Sequence, residues 1–285
     1  MSNVEVSRAE RLDQYVANKL PTISRATVSK LIDKGVVKVN GEVASKGGYK
    51  LRPTDIVEID YEATIQPPVP DIELVVLYED DDCLVIIKPT GVLSHSKGAF
   101  NPEGTVDSWL RKRIVDISGE RAGIVHRLDR ATSGVMICAK TAKASSWLQK
   151  QFSQRKVKKT YVAVVQGSLA TDHAMIDMPI ERNPKKPQTF RVGSNGKSAQ
   201  TEYKILKVSN KYSLVELKPV TGRTHQLRVH MHQLEHPIVG DVLYDGKTAD
   251  RLYLHAKSLE VTLPNRERRT FEAPLPIEFD NLMSS

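Results

Sequence analysis

The chain has 285 residues, 40% hydrophobic and 27% charged, the proportions of an ordinary globular protein, which exclude a disulfide-stapled peptide, a fibrous repeat and a wholly disordered chain. Its apolar runs, such as residues 74–77 and 84–87, fall far below the ~20 residues of a membrane-spanning helix, and the polar start MSNVEVSRAERLDQ holds no secretory core, so a cytoplasmic address is expected. A balance of 42 Lys+Arg against 34 Asp+Glu, net +8, favours a polyanionic partner.

Residues 8–20 place Leu12, Val16 and Leu20 at steps of four before Pro21, which predicts an amphipathic helix with a built-in stop. A second helix follows, capped by Ser24, with Val28, Leu31 and Ile32 as its apolar stripe and Gly35 where the chain leaves through a positive φ. Val37 and Val39 then alternate with polar residues up to Asn40-Gly41, a hairpin turn signal, and residues 55–60 alternate again as a closing strand. Two helices on a small sheet make a unit of about 55 residues, near the lower limit for independent folding. Arg25 and Lys30 on the second helix, with Lys34 and Lys38 after it, are candidates to track phosphates. The strings R-L-D-x-x-V, S-R-x-x-V-x-x-L-I, G-V-V-K-V-N-G and L-x-P-x-D-I-V resemble the S-four type RNA-binding domain over residues 8–62. That resemblance implies a small α/β module and an RNA partner, without chemistry.

Residues 63–72 hold three prolines and no periodicity, so they read as a stiff connector and a domain boundary. Beyond it, 74–78 and 83–88 are strands around an acidic turn, and Pro89-Thr90-Gly91 ends the second. Helices are expected over 105–116 and 142–154, with Val106, Trp109, Leu110 and Ile114 on one apolar face and Ala144, Trp147, Leu148 and Phe152 on the other. Residues 160–166, 200–206, 213–217 and 259–263 read as strands, so residues 73–285 form an α+β domain with a mixed, mostly antiparallel sheet. Cys83 and Cys138 lie far apart outside any C-x-x-C pair and read as small buried apolar residues. Between Asp129 and Asp172 there is no acidic residue, while Arg130, Lys140, Lys143, Lys150, Arg155, Lys156, Lys158 and Lys159 all fall there. A solvated helix face would account for such a run; a nucleic acid gives that one-sign field a purpose.

The segment 124–137 runs from an apolar strand end through His126-Arg127-Leu128-Asp129-Arg130 and back into an apolar strand. Asp129 is thereby presented at a strand terminus among cations, which lower a carboxylate pKa and keep it ionised as a nucleophile or a base. A surface Asp–Arg pair would look the same. The string H-R-L-D-R-x-T-S-G, however, resembles the catalytic signature of the RluA-type pseudouridine synthases. D-D-x-L-V-I-I-K-P-x-G-x-L-x-H at 81–95, K-K-T-Y-V-A-V-V-Q-G at 158–167, T-G-R-T-H-Q-L-R-V-H at 221–230, H-P-I-V-G-D at 236–241 and L-H-A at 254–256 resemble its other blocks in order.

The resemblance implies a pseudouridine synthase fold over residues 73–285 and isomerisation of uridine within RNA, with no cofactor and no metal, by a protein expected to be a monomer. It implies Asp129 as the catalytic carboxylate, Arg228 as its partner and Tyr161 as the tyrosine stacking on uracil. Arg127 is implied as the side chain that fills the gap left by the flipped base. His126, Arg130 and Arg223 are further candidate RNA contacts beside Arg25 and Lys30. The module-plus-domain arrangement is similar to that of enzymes acting on large-subunit ribosomal RNA; transfer RNA as substrate, or a noncatalytic RNA-binding protein, are the alternatives.

Two other motifs are weaker. His232-Gln233-Leu234-Glu235-His236 matches the H-x-x-E-H zinc peptidase pattern, but Pro237 ends a helix at its second histidine. Gly196-Lys197-Ser198 looks like the end of a phosphate loop, yet Arg191 stands where the first glycine is required, which leaves a turn.

Overall fold

The computed structural model describes residues 2–6, 9–20, 25–60, 69–95, 103–114 and 123–284. Its backbone divides into two units, one chiefly Met1–Asp71 and one of Ile72–His95 with Thr105–Ser285. Ser24 and residues 63–68 of the proline-rich connector lie outside the described residues.

The first unit comprises β1 (Ser2–Glu5), β2 (Glu10–Arg11), α1 (Leu12–Lys19), α2 (Arg25–Asp33), β3 (Val37–Val39), β4 (Glu42–Val43), β5 (Lys50–Leu51) and β6 (Ile56–Ile59). Its main sheet is antiparallel, ordered β1-β6-β3-β4, with β2 and β5 paired separately. Leu12, Val16, Val28, Leu31 and Ile32 from the helices meet Val37, Leu51, Val57 and Ile59 in one buried core. Asn40 (φ 53°) and Gly41 (φ 83°) both occupy the left-handed region, the requirement of a two-residue hairpin turn whose twist matches its strands. α1 starts only at Leu12 because Glu10 and Arg11 pair with Lys50–Leu51. The strand β1 carries no sequence signal of its own; it exists through its pairing with β6.

In the second unit, β7 (Val75–Glu79), β8 (Cys83–Lys88), α3 (Val106–Arg111), β9 (Ser133–Ala139), α4 (Ala142–Ser153), β10 (Lys158–Gln166), β11 (His173–Asp177), β12 (Ile180–Arg182), β13 (Phe190–Val192), β14 (Gln200–Val208), β15 (Tyr212–Pro219), α5 (Gln226–Gln233), β16 (Leu254–Thr262), β17 (Arg268–Glu272) and α6 (Ile277–Met283) follow in order. A nine-stranded sheet runs β11-β14-β15-β10-β16-β9-β8-β7, with β17 added to β16. Every pair in it is antiparallel except β9 with β16.

Helices cover both faces of its β8–β9 half, which is why those strands are continuous apolar runs rather than alternating ones. Cys83, Val85, Val135 and Ile137 pack with Ala144 and Leu148 of α4, while Leu84, Ile86, Met136 and Cys138 pack with Val106, Trp109 and Leu110 of α3. Both cysteines are buried thiols, as their sequence context predicts. Thr105 caps α3 through a reciprocal bond pair with Ser108, and Thr141 caps α4 by accepting the Ala144 N–H at 3.1 Å. α3 is shorter than expected, and residues 115–116 of the expected helix lie outside the described residues. The parallel joint is made at Gly134 (φ 120°), where any Cβ would collide with the Ala256 backbone. No helix among the described residues is long and apolar enough to cross a membrane.

Candidate active site

The loop from His126 to Thr132 leads into the buried strand β9, and the chain after β8 holds its backbone in place. Lys88, at the end of β8, is fully buried, and its Nζ donates to the carbonyls of Pro89 (2.8 Å), Val92 (2.8 Å) and Arg130 (3.2 Å). Burial pushes this ammonium down to about 7, with the charge of Asp129 pulling the other way. Gly91 N–H donates to the Arg130 carbonyl (2.8 Å), Thr90 Oγ1 to the Ala131 carbonyl (2.8 Å) and Ser94 Oγ to the Leu128 carbonyl (2.8 Å). The 81–95 block is therefore the scaffold of the aspartate loop. His126 completes the anchorage: its Nε2 accepts the Ile137 N–H at 3.1 Å and its ring stacks on Phe152 at 4.5 Å. Burial, helped by the charge of Lys159, lowers this imidazole to about 3, so it is neutral and tied to the fold.

Asp129 emerges from this frame with its side chain 21% exposed. It borders a cavity of about 500 Å³ together with His126, Arg127, Lys159, Tyr161, Arg223, His225 and Arg228, a volume within the usual range for small-ligand sites. Lys159 and Tyr161 stand two apart on β10 and share its cavity-facing side. Burial raises the Tyr161 phenol, as does the charge of Asp129.

The third wall is the turn between β15 and α5. Buried Gln226 fixes it: Oε1 accepts Thr221 Oγ1–H (2.7 Å) and Arg223 N–H (3.0 Å), while Nε2 donates to the Gln200 carbonyl (2.9 Å) and Thr201 Oγ1 (3.0 Å). His225 takes the left-handed conformation (φ 56°) that starts α5. Its Nδ1 lies 2.8 Å from the Tyr244 hydroxyl, which also accepts the Phe190 N–H at 2.9 Å. Tyr244 can donate its own proton to Nδ1, and in that tautomer the imidazole proton sits on Nε2, 3.8 Å from Asp129 Oδ2. Burial lowers His225, in keeping with that neutral tautomer.

Arg228, in the first turn of α5, is 6% exposed. Its Nε and Nη2 donate in a fork to Asp241 Oδ2 (2.6 Å) and Oδ1 (2.7 Å), leaving Nη1 at 3.6 Å from Asp129 Oδ2. Burial opposes the guanidinium charge, but the bonds and charge of Asp241, joined by Asp129, outweigh it and raise Arg228. The arginine is thus a fixed cation with its geometry set by Asp241. A carboxylate with open lone pairs, facing a cavity beside a fixed cation, can attack an electrophilic carbon or take a proton from one.

Asp129, Arg228, Tyr161, Arg127, His126 and Arg223 thus meet at one cavity. Arg130 does not line it; its carbonyl ties the loop to Lys88. Arg25 and Lys30 belong to the other unit, where Arg25 pairs with Asp13 at 2.6 Å and Lys30 is exposed. The residues alone gave no role to Asp241, His225 or Tyr244, and placed Lys159 only within a basic run suited to nucleic acid. Asp241 closes the H-P-I-V-G-D block and His225 lies inside T-G-R-T-H-Q-L-R-V-H, so those motifs were the available signal. The H-x-x-E-H string forms no metal site: α5 ends before Glu235 (φ 64°), His232 faces Asp245 at 3.0 Å and His236 donates to the Gln166 carbonyl at 2.8 Å. Among the described residues no three His, Cys, Asp or Glu side chains cluster as metal ligands.

Residues 82–233 match the family model described as RNA pseudouridylate synthase, and residues 10–57 match the S4 domain. A relative in Xanthomonas campestris, the ribosomal large subunit pseudouridine synthase D, is 38% identical over 96% of this chain and 88% of its own length. A protein of Aquifex aeolicus described as an uncharacterized RNA pseudouridine synthase is 40% identical over 84% of this chain and 78% of its own. Among solved structures, human RNA pseudouridylate synthase domain containing 1 superposes with a TM-score of 0.60 at 30% identity, covering 71% of this chain and 83% of that one.

Proposed function

The chain belongs to the RNA pseudouridylate synthase family, and from that premise we propose that its Asp129 carboxylate isomerises particular uridines of large-subunit ribosomal RNA without a cofactor. As a pseudouridine synthase acting on RNA it is an isomerase. The observation that carries the mechanistic reading is the Asp129 carboxylate at the cavity wall, 3.6 Å from an Arg228 held rigid by Asp241.

A stacked uridine cannot offer its sugar carbon to a carboxylate, so the nucleotide is flipped at a cost of about a few kcal/mol. Arg127, exposed at the cavity mouth, has the flat guanidinium that can take the vacated place in the stack. Tyr161 offers its ring to the uracil. As the bond from sugar to N1 breaks, positive charge grows on the sugar beside Asp129, which either bonds to C1′ or removes the C2′ proton to leave a glycal. Arg228 keeps the carboxylate aimed, and because it is already positioned no reorganisation is required in the transition state. The base turns, C5 bonds to C1′, and the proton lost from C5 is balanced by one gained at N1.

The ribosomal substrate is supported by relatives named ribosomal large subunit pseudouridine synthase D, and an enzyme of that substrate would work in the cytoplasm. In this reading residues 8–62 form an RNA-binding module and 73–285 the catalytic domain, joined by the linker 63–72. Arg25 and Lys30 in the module, with Arg130 and Arg223 in the catalytic domain, contact phosphates, and His126 contributes by holding the loop.

Ribosomal RNA labelled with tritium at uracil C5 tests the proposal. Wild-type protein releases label to water and Asp129→Asn does not; release that survives Asp129→Asn removes the carboxylate from the mechanism. Comparing pseudouridine positions in RNA from cells with and without the gene identifies the uridine, and no difference in large-subunit RNA rejects that substrate.

A further inference from the structure

Lys158 and Lys159 are adjacent on β10 and therefore point to opposite sides. Lys158 is exposed and pairs with Glu260 at 3.4 Å. Lys159 instead lines the cavity that holds Asp129 and Tyr161. Among the described residues its Nζ has one hydrogen bond, to the Thr221 carbonyl at 3.4 Å, longer than the 2.7–3.2 Å of an ordinary N–H···O contact. No carboxylate among the described residues pairs with it. An ammonium with three donors, largely removed from water and served by one distant acceptor, is an incomplete arrangement. Burial accordingly lowers it to about 8, and its charge helps keep His126 neutral. A ligand oxygen would complete it.

We propose that Lys159 donates to a uracil carbonyl oxygen of the flipped nucleotide and stabilises the negative charge that the base acquires when its bond to the sugar breaks. The inference rests on the reading of Asp129 as the reacting carboxylate. In that step the C1′–N1 electron pair stays with the uracil, which becomes an anion spread over N1 and both exocyclic oxygens. Lys159 keeps its protons throughout. A cation at this position strengthens its bond as charge develops, the condition for lowering the barrier rather than only tightening binding. Phosphate is the less suitable partner: Lys159 shares its strand face with Tyr161 inside the cavity, whereas Arg127 is exposed at the mouth.

The test is single-turnover kinetics of Lys159→Met at saturating ribosomal RNA. Its rate should fall by about 10²–10³-fold, the usual effect of removing one charge-stabilising donor, with the Kd for RNA within about threefold of wild type. RNA transcribed with 5-fluorouridine, whose base leaves more readily, should shrink the deficit, measured as consumption of 5-fluorouridine. A wild-type rate, a weakened Kd with an unchanged saturating rate, or an equal deficit on both RNAs would overturn the inference. If Lys159→Met loses its thermal unfolding transition, Lys159→Gln, which keeps a donor without charge, is read by the same comparisons. Asp129→Asn run in parallel separates the two readings: loss of activity there with full activity in the lysine variant rejects only the role of Lys159, and activity in both rejects the site.

Discussion

In the N-terminal unit Asp13 accepts from Arg11 Nε at 3.0 Å, Arg11 Nη2 at 3.1 Å and Arg25 Nη2 at 2.6 Å. In the catalytic unit Asp129 faces Arg228 at 3.6 Å and His225 at 3.8 Å, with 21% of its side chain open to the cavity. Both are aspartates beside arginine, but they are built for opposite ends. The bond from Arg11, reinforced by Arg25, pulls the Asp13 carboxyl down to about 2, and both of its oxygens are engaged. Around Asp129 the saturated pair is displaced by one residue: Asp241 takes the fork of Arg228, so the arginine is fixed while the carboxylate beside it makes no hydrogen bond among the described residues. A carboxylate that holds structure together is satisfied; the one proposed to perform chemistry is held by its backbone and left with open lone pairs.

Exchanging each residue for its amide is the largest test of that contrast. Asp129→Asn should lower the single-turnover rate by about 10⁴-fold, the scale seen when a catalytic carboxylate is neutralised. Its stability to denaturant should move by no more than about 0.5 kcal/mol, because no short hydrogen bond is lost. Asp241→Ala comes next. It strips the buried guanidinium of its forked partner, which costs about 3–5 kcal/mol, and it leaves Arg228 without its fixed position beside Asp129, lowering the rate by about 10²-fold through misplacement. Urea denaturation and single-turnover kinetics on the same preparation read both effects, and a stable, fast Asp241→Ala would show that Arg228 is positioned by something else. Asp13→Asn should cost the N-terminal unit about 1–2 kcal/mol, since its arginines are half exposed. The rate at saturating RNA should not change.

The two regions also differ in how much of them could be read from residues alone. Asp129, Tyr161 and Arg228 were legible because each sits inside a long ordered motif, and the apolar runs of β8 and β9 were legible because helices cover both faces. Asp241, His225 and Lys159 were not, because what they do depends on tertiary contacts that no local pattern encodes: the Arg228–Asp241 fork joins α5 to the loop after it, and Lys159 on β10 meets Thr221 just beyond the neighbouring strand β15, 62 residues on. β1 and β17 escaped for a related reason. The strings SNVE and RRTFE become strands only because β6 and β16 offer them an edge.

The smallest effect, and the most specific to the contrast between the units, is their order of unfolding in acid. Burial holds His126 at about 3, helped by the charge of Lys159, and His255 at about 4, helped by the charge of Arg251. Both histidines therefore stay neutral in the folded state well below the ordinary imidazole value of 6.5. Below pH 6.5 the unfolded chain binds protons there that the folded chain does not, so the stability they contribute is complete above 6.5 and is lost as pH falls toward 4 and then 3. Asp13 is also depressed, from 3.8 to about 2, and its contribution survives until the pH falls below 3.8. The catalytic unit should accordingly loosen first. Both tryptophans, Trp109 and Trp147, lie in that unit, so their fluorescence follows it alone, while amide exchange at Leu31 and Val57 follows the other core. Fluorescence should change at a higher pH than exchange; coincident or reversed transitions would contradict the assignment. His126→Gln sharpens the test, since a glutamine oxygen can still accept the Ile137 N–H but takes up no proton, so the variant's fluorescence transition should move to lower pH.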